Sequence, residues 1–139
     1  MSVDARQPRL RQNLDQSQAL VLLLMNRYQL SLENLNRSIV FLNHIRKEEL
    51  RFGDLVLVET KNSTYIFHVM GNSHYLVSGG WFDRSGTSPA KVRINGCTWG
   101  GHIIKTDTFA ACGMHLEFNN GVITSTIQKV IVFHGNGKN

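Results

Sequence analysis

The stretch Ile94-Asn-Gly-Cys-Thr-Trp-Gly-Gly-His102 sets a thiol, an indole and an imidazole close together among three glycines. A cysteine becomes a nucleophile when a neighbouring base or a helix N-terminus lowers its pKa. His102 follows Cys97 by five positions, and Gly100-Gly101 lets the loop fold back, so the two form a candidate pair. No helical pattern follows Cys97, however, and the chain resumes as apolar Ile103-Ile104. The spacing favours a tight corner of a β-domain in which Cys97 is a small buried hydrophobe. No catalytic residue is assigned from it.

The other chemistry-bearing residues are weighed in the same way. Six histidines are many for this length, and two pairs stand on neighbouring strand patterns: His68 with His74, and His115 with His134. None has the spacing of a zinc site, and no metal or other cofactor is expected. The glycines at 79–80, 86 and 96–101 open no G-x-G-x-x-G helix and precede no Lys-Ser/Thr. They read as bulges and corners rather than as a phosphate cradle. Cys97 and Cys112 lack C-x-x-C spacing and form no disulfide framework.

The aromatic set has more to offer. Trp81 and Trp99 both stand beside glycines, with Arg84, Lys91 and Arg93 near in sequence. Such a composition can stack a base or a sugar ring. Trp81, Arg84, Arg93, Trp99 and His102 are therefore the candidate ligand-binding residues. The plainer alternative is that both indoles cap the ends of a β-core.

These residues must be positioned by two unlike halves. From residue 9 to residue 52 there is neither proline nor glycine, in a chain with twelve glycines. Asp15-Gln-Ser-Gln18 reads as a capping box, which predicts a helix from about residue 16 that ends before Gly53. Val21, Met25, Tyr28, Leu32, Leu35, Ile39 and Leu42 recur at alternating spacings of four and three, a heptad seam. That seam is the candidate oligomer interface, as in a coiled coil. Ser31 can cap a second helix, so one long helix and a helical hairpin both fit. Packing of this segment on the β-domain is a further possibility, since apolar positions such as Leu23 and Leu24 lie off the seam.

Beyond Phe52 the period changes to two. Leu55–Thr60, Thr64–Met70 and His74–Ser78 read as strands joined by Lys61-Asn-Ser63 and Gly71-Asn-Ser73. Lys91–Asn95 alternates, and Met114–Phe118, Asn119-Asn-Gly121 and 122–133 read as a long closing hairpin. The expected fold is α+β: a long N-terminal helix or helical hairpin followed by a small antiparallel β-barrel or sandwich. The divisions are a tail at 1–14, a helical segment at 15–51, a β-domain at 52–134 and a tail at 135–139.

Ser78-Gly-Gly-Trp-Phe82, Asn95-Gly-Cys-Thr-Trp-Gly-Gly101 and Leu116-Glu-Phe-Asn-Asn-Gly-Val122 resemble segments of small uncharacterised bacterial proteins. The likeness spans residues 55–132. It implies a shared β-domain and carries no activity.

Charge and composition set the outer limits. The net charge is +5 with a pI near 9.6. No basic run exceeds Arg46-Lys47, so a nucleic-acid partner has little support, because such proteins concentrate charge on one face. The longest apolar run, Ala19–Met25, is too short for a bilayer, and no membrane partner is expected. No secretory signal is read, and the expected location is cytoplasmic. The resulting expectation is a non-catalytic structural or protein-interaction module that assembles with itself or another protein through its helical segment. A domain binding nucleic acid or carbohydrate is the alternative.

Overall fold

A computed structural model describes residues 39–100 and 102–134, all within one compact unit that runs from Arg37 to Asn139. Eleven strands and one short helix make up this part: β1 (Ile39–Leu42), β2 (His44–Arg46), β3 (Leu55–Thr60), β4 (Thr64–Gly71), β5 (His74–Gly79), α1 (Gly80–Arg84), β6 (Ala90–Val92), β7 (Ile94–Thr98), β8 (Ile104–Lys105), β9 (Thr108–Ala111), β10 (His115–Phe118) and β11 (Ile127–Phe133). A 3₁₀ turn, Lys47–Glu49, follows β2. Six strands form the main sheet in the order β1-β11-β3-β4-β5-β6. A three-stranded sheet, β10-β7-β8, and the pair β2-β9 complete the β-structure.

The hairpin chemistry acts as the residue types dictate. Asn72 and Ser73 both take positive φ, 55° and 64°, between the paired residues Gly71 and His74. A two-residue loop needs that conformation to match the twist of its strands, and a short polar side chain tolerates it. At the β3–β4 turn, Ser63 returns its carbonyl to the Thr60 amide at 2.7 Å, and its own amide donates to the Thr60 hydroxyl at 3.0 Å.

One face of the main sheet carries Val56, Val58, Tyr65, Phe67, Tyr75, Val77, Val130 and Val132. Against it pack Ile45, Phe82, Cys97, Phe109, Leu116 and Phe118 from the other elements. Several aromatic edges meet faces: Phe67 and Phe109 lie 5.0 Å apart at 81°, and Phe82 and Phe118 lie 4.8 Å apart at 83°. Such pairs add to the area they bury. The register places Leu55, Leu57, Ile66, Ile131 and Phe133 on the opposite face, where they are also buried. A sheet with two apolar faces needs a layer on each.

Two expectations are corrected here. Residues 39–51 do not continue a helix. Ile39–Leu42 is an edge strand paired antiparallel with β11, Ile39 opposite Phe133 and Leu42 opposite Val130. The run Ile39-Val-Phe-Leu42 is rich in β-branched and aromatic residues, and a ready partner strand decides its conformation. On a strand, positions 39 and 42 cannot share one stripe, so the coiled-coil seam loses its last two members. Its other residues, Val21, Met25, Tyr28, Leu32 and Leu35, lie outside the described residues, as do both tails and the proposed capping box. Among the described residues the sole α-helix is the five-residue α1.

The barrel does not close either. β1 and β6 remain as the edges of the main sheet because each turns a corner into the second layer. β1 leaves through Asn43, whose carbonyl accepts from the Cys112 amide at 2.8 Å, and continues as β2 against β9. β6 leaves through Arg93 and continues as β7. There the Asn119 side chain accepts from the Arg93 amide at 3.1 Å, and the Asn119 amide donates to the Arg93 carbonyl at 3.0 Å. Strands that switch sheets at bends make a packed, open arrangement instead of a closed ring. The closing hairpin is likewise divided: β10 pairs with β7, while β11 pairs with β1 and β3.

Candidate functional site

Gly96 explains the first half of the Ile94–His102 stretch. Its φ is +146°, and a Cβ there would lie 2.3 Å from the Lys105 carbonyl oxygen. Only a residue without a side chain lets β7 approach β8 this closely. The corner is tied down from another direction by Lys47, whose Nζ donates to the Ile94 carbonyl at 2.7 Å. Burial lowers the Lys47 pKa, with the Arg93 charge adding to the effect and Cys97 and Asp107 opposing it.

Cys97 is fully buried in the core, and its Sγ donates to the Phe109 carbonyl at 3.5 Å. Burial pushes its pKa up to about 11, partly offset by a backbone hydrogen bond and by Lys47. A thiol held protonated and out of solvent is inert. His102 is exposed, and the structure does not bring it to Cys97 as a base. Cys112 is half-buried, with its Sγ on the Gln128 carbonyl at 3.4 Å, and burial raises its pKa too. Both thiols are free.

The second half of the stretch leaves the core. β7 and β8 pair Cys97 with Lys105 and Thr98 with Ile104. Trp99 and Ile103 flank the connection between these strands. Thr98 is buried at 1%, whereas Trp99 is 57% and Ile103 65% exposed. Two large apolar side chains thus stand exposed beside the β7–β8 connection.

Trp81 sits elsewhere. Gly79 and Gly80 take φ of +99° and +46° as the chain turns from β5 into α1, and a Cβ on Gly80 would strike the Tyr65 ring. That close approach seats the Trp81 amide on the Tyr65 hydroxyl at 3.2 Å. The indole stacks edge-on against Phe82 at 5.1 Å and stays 37% exposed. Arg84 donates to the Ser63 hydroxyl at 3.2 Å, and Arg93 is exposed at the β6–β7 corner. Trp81 with Arg84 belongs to α1, while Trp99 with His102 belongs to the β7–β8 connection. No ring contact joins the two indoles among the described residues.

Neither histidine pair forms a directly opposed cross-strand pair. His74 stands opposite Gly71 and His68 opposite Leu76. His115 turns its Nδ1 to the Thr124 carbonyl at 2.9 Å, whereas the His134 Nδ1 lies 3.4 Å from the buried Asp54 carboxylate. Among the described residues no three His, Cys, Asp or Glu side chains gather as metal ligands. A cleft of about 320 Å³ opens between Lys47, Leu50, Phe52, Gly71, His74 and Tyr75. Its rim includes Phe52, 69% exposed, which sequence reasoning passed over. In the sequence Ile103 reads only as the resumption of an apolar run; its 65% exposure is visible only in the fold.

No protein-family description, no curated protein and no solved structure matches this chain.

No helix among the described residues is long and apolar enough to cross a membrane.

Proposed function

We propose that this chain is a non-catalytic interaction module whose β-domain presents the Trp99–Ile103 hairpin end to a partner protein. One observation carries the reading: Trp99 and Ile103, two large apolar side chains, are 57% and 65% exposed on the short connection between β7 and β8, directly after the buried Cys97 and Thr98. Single exposed apolar residues are ordinary on protein surfaces, but a tryptophan and an isoleucine exposed on one short connection can form a compact anchor. Tryptophan is enriched among the residues that dominate binding energies. Gly96, Lys47 and the buried Cys97 fix β7, from which that connection leaves. The stacking alternative draws no comparable support, since Trp81 and Trp99 come from separate elements. The free thiols suit a reducing compartment, and a cytoplasmic location is part of the proposal.

The test places a photoreactive benzophenone side chain at position 99 in cells that normally produce the protein. The expected result is a discrete protein adduct that weakens when Ile103→Ser is added. Adducts confined to nucleic acid, or none above a control probe at exposed Lys61, would overturn the reading.

A further inference from the structure

Two tyrosines, Tyr65 and Tyr75, stand in the core of the β-domain, and their hydroxyls differ. The Tyr65 hydroxyl accepts from the Trp81 amide at 3.2 Å. Tyr75 is 4% exposed, with its ring 5.1 Å from Phe109 and 6.5 Å from Phe67. Among the described residues its hydroxyl has no hydrogen-bond partner. A buried tyrosine hydroxyl ordinarily finds one, and an unmatched one costs stability. Tyr75 also lines the cleft of about 320 Å³ between the 3₁₀ turn and the β4–β5 hairpin, a cleft bounded by described residues alone. Its buried lining is Tyr75 and Val69; Leu50 and the 69% exposed ring of Phe52 complete its apolar surface. We infer that this cleft binds a small uncharged organic molecule, a ring bearing one carbonyl, with the ring against Phe52 and the carbonyl on the Tyr75 hydroxyl.

Size, charge and rigidity select that ligand. Small-molecule pockets run from about 300 to 1,000 Å³ and are mostly apolar with few polar groups, so this cleft suits a ligand at the small end. Its charged side chains are engaged elsewhere. The Lys47 ammonium donates to the Ile94 and Asn95 carbonyls at 2.7 and 3.4 Å, and Glu48 pairs with Arg46. Neither is left to hold a charged ligand. The walls are set in advance. Val69 accepts from the Gly53 amide and donates to the Asp54 carbonyl, both at 2.9 Å, which fixes the segment after Phe52 on β4. The Lys47 amide donates to the Asp107 carbonyl at 2.9 Å, and Asn72 and Ser73 form the tight turn opposite. A preformed site needs little ordering when its ligand enters. None of the lining residues lies on the β7–β8 connection, so the site stands apart from the role of Trp99.

Benzamide is the probe, titrated to millimolar concentration into the isotope-labelled full chain and followed by amide chemical shifts. The expected result is saturable shifts centred on Leu50, Phe52, Gly71, Asn72 and Ser73, with toluene and benzoate binding more weakly. Tyr75→Phe keeps the ring and removes only the unmatched hydroxyl. It should hold or raise the melting temperature while benzamide affinity falls about three- to tenfold, the scale of one neutral hydrogen bond. Phe52→Ala removes an exposed ring and should weaken binding as well, which keeps the test decisive if Tyr75→Phe does not fold. An absence of saturable shifts at the cleft, or unchanged affinity in either folded variant, overturns the site. Tighter binding of benzoate overturns the choice of an uncharged ligand, and equal binding of toluene overturns the contact with Tyr75. Shifts of the same amides on raising protein concentration without probe would assign the cleft to a second copy and overturn the inference.

Discussion

Burial of Cys97 decides its chemistry. The thiolate is the reactive form, and a pKa pushed up to about 11 leaves almost none of it at neutral pH. Iodoacetamide at pH 8 should therefore label half-buried Cys112 first and reach Cys97 only after unfolding in urea, as read by peptide mass spectrometry. Fast alkylation of native Cys97 at pH 6 would return it to the list of nucleophiles. The sequence carried this much: a cysteine without a following helix, entering an apolar strand, reads as core. It did not carry the exposure of Ile103, because where the apolar run leaves the core depends on the pairing of β7 with β8, which ends at Thr98 and Ile104.

At the scale of elements, glycine at 96 is required by a neighbour's backbone and not only by a turn. Gly96→Ala must move the Lys105 carbonyl or strain β7, and either should cost about 2–4 kcal/mol. Denaturant unfolding measures this; a loss under half a kcal/mol would mean that β7 and β8 are not so closely apposed. Strands β3, β4 and β5 were legible because their alternation and turn residues are local signals. β1 was not. Ile39 and Leu42 satisfy a helical spacing as well as a strand composition, and only β11, some ninety residues later, selects between them. The corners at Asn43 and Arg93 contain neither glycine nor proline, so no breaker announced that the strands would change sheets. Barrel closure failed for that reason.

The whole molecule adds a pH dependence and the proposed binding surface. Burial lowers the pKa of His68 on β4, so the folded state holds its imidazole neutral more strongly than the unfolded chain does. As pH falls through the unfolded value near 6.5, the unfolded state takes up the extra proton, and stability declines. Melting temperature should accordingly drop between pH 7 and pH 5, and the drop should shrink in His68→Gln. An identical slope in the variant would assign the effect to other groups. The proposed function was the least legible property, because an interaction surface has no fixed motif. Trp99 and His102 drew attention as chemistry, whereas the arrangement favours Trp99 and Ile103 as contact.

The most direct test of that arrangement is the affinity of the protein partner recovered by cross-linking, measured for the native chain and for Trp99→Ala combined with Ile103→Ser. Both side chains are largely exposed, so the melting temperature should stay within a degree or two. Affinity should fall at least tenfold, about 1.4 kcal/mol or more. An unchanged dissociation constant in a folded double variant would contradict the assignment of the Trp99–Ile103 hairpin as the binding surface.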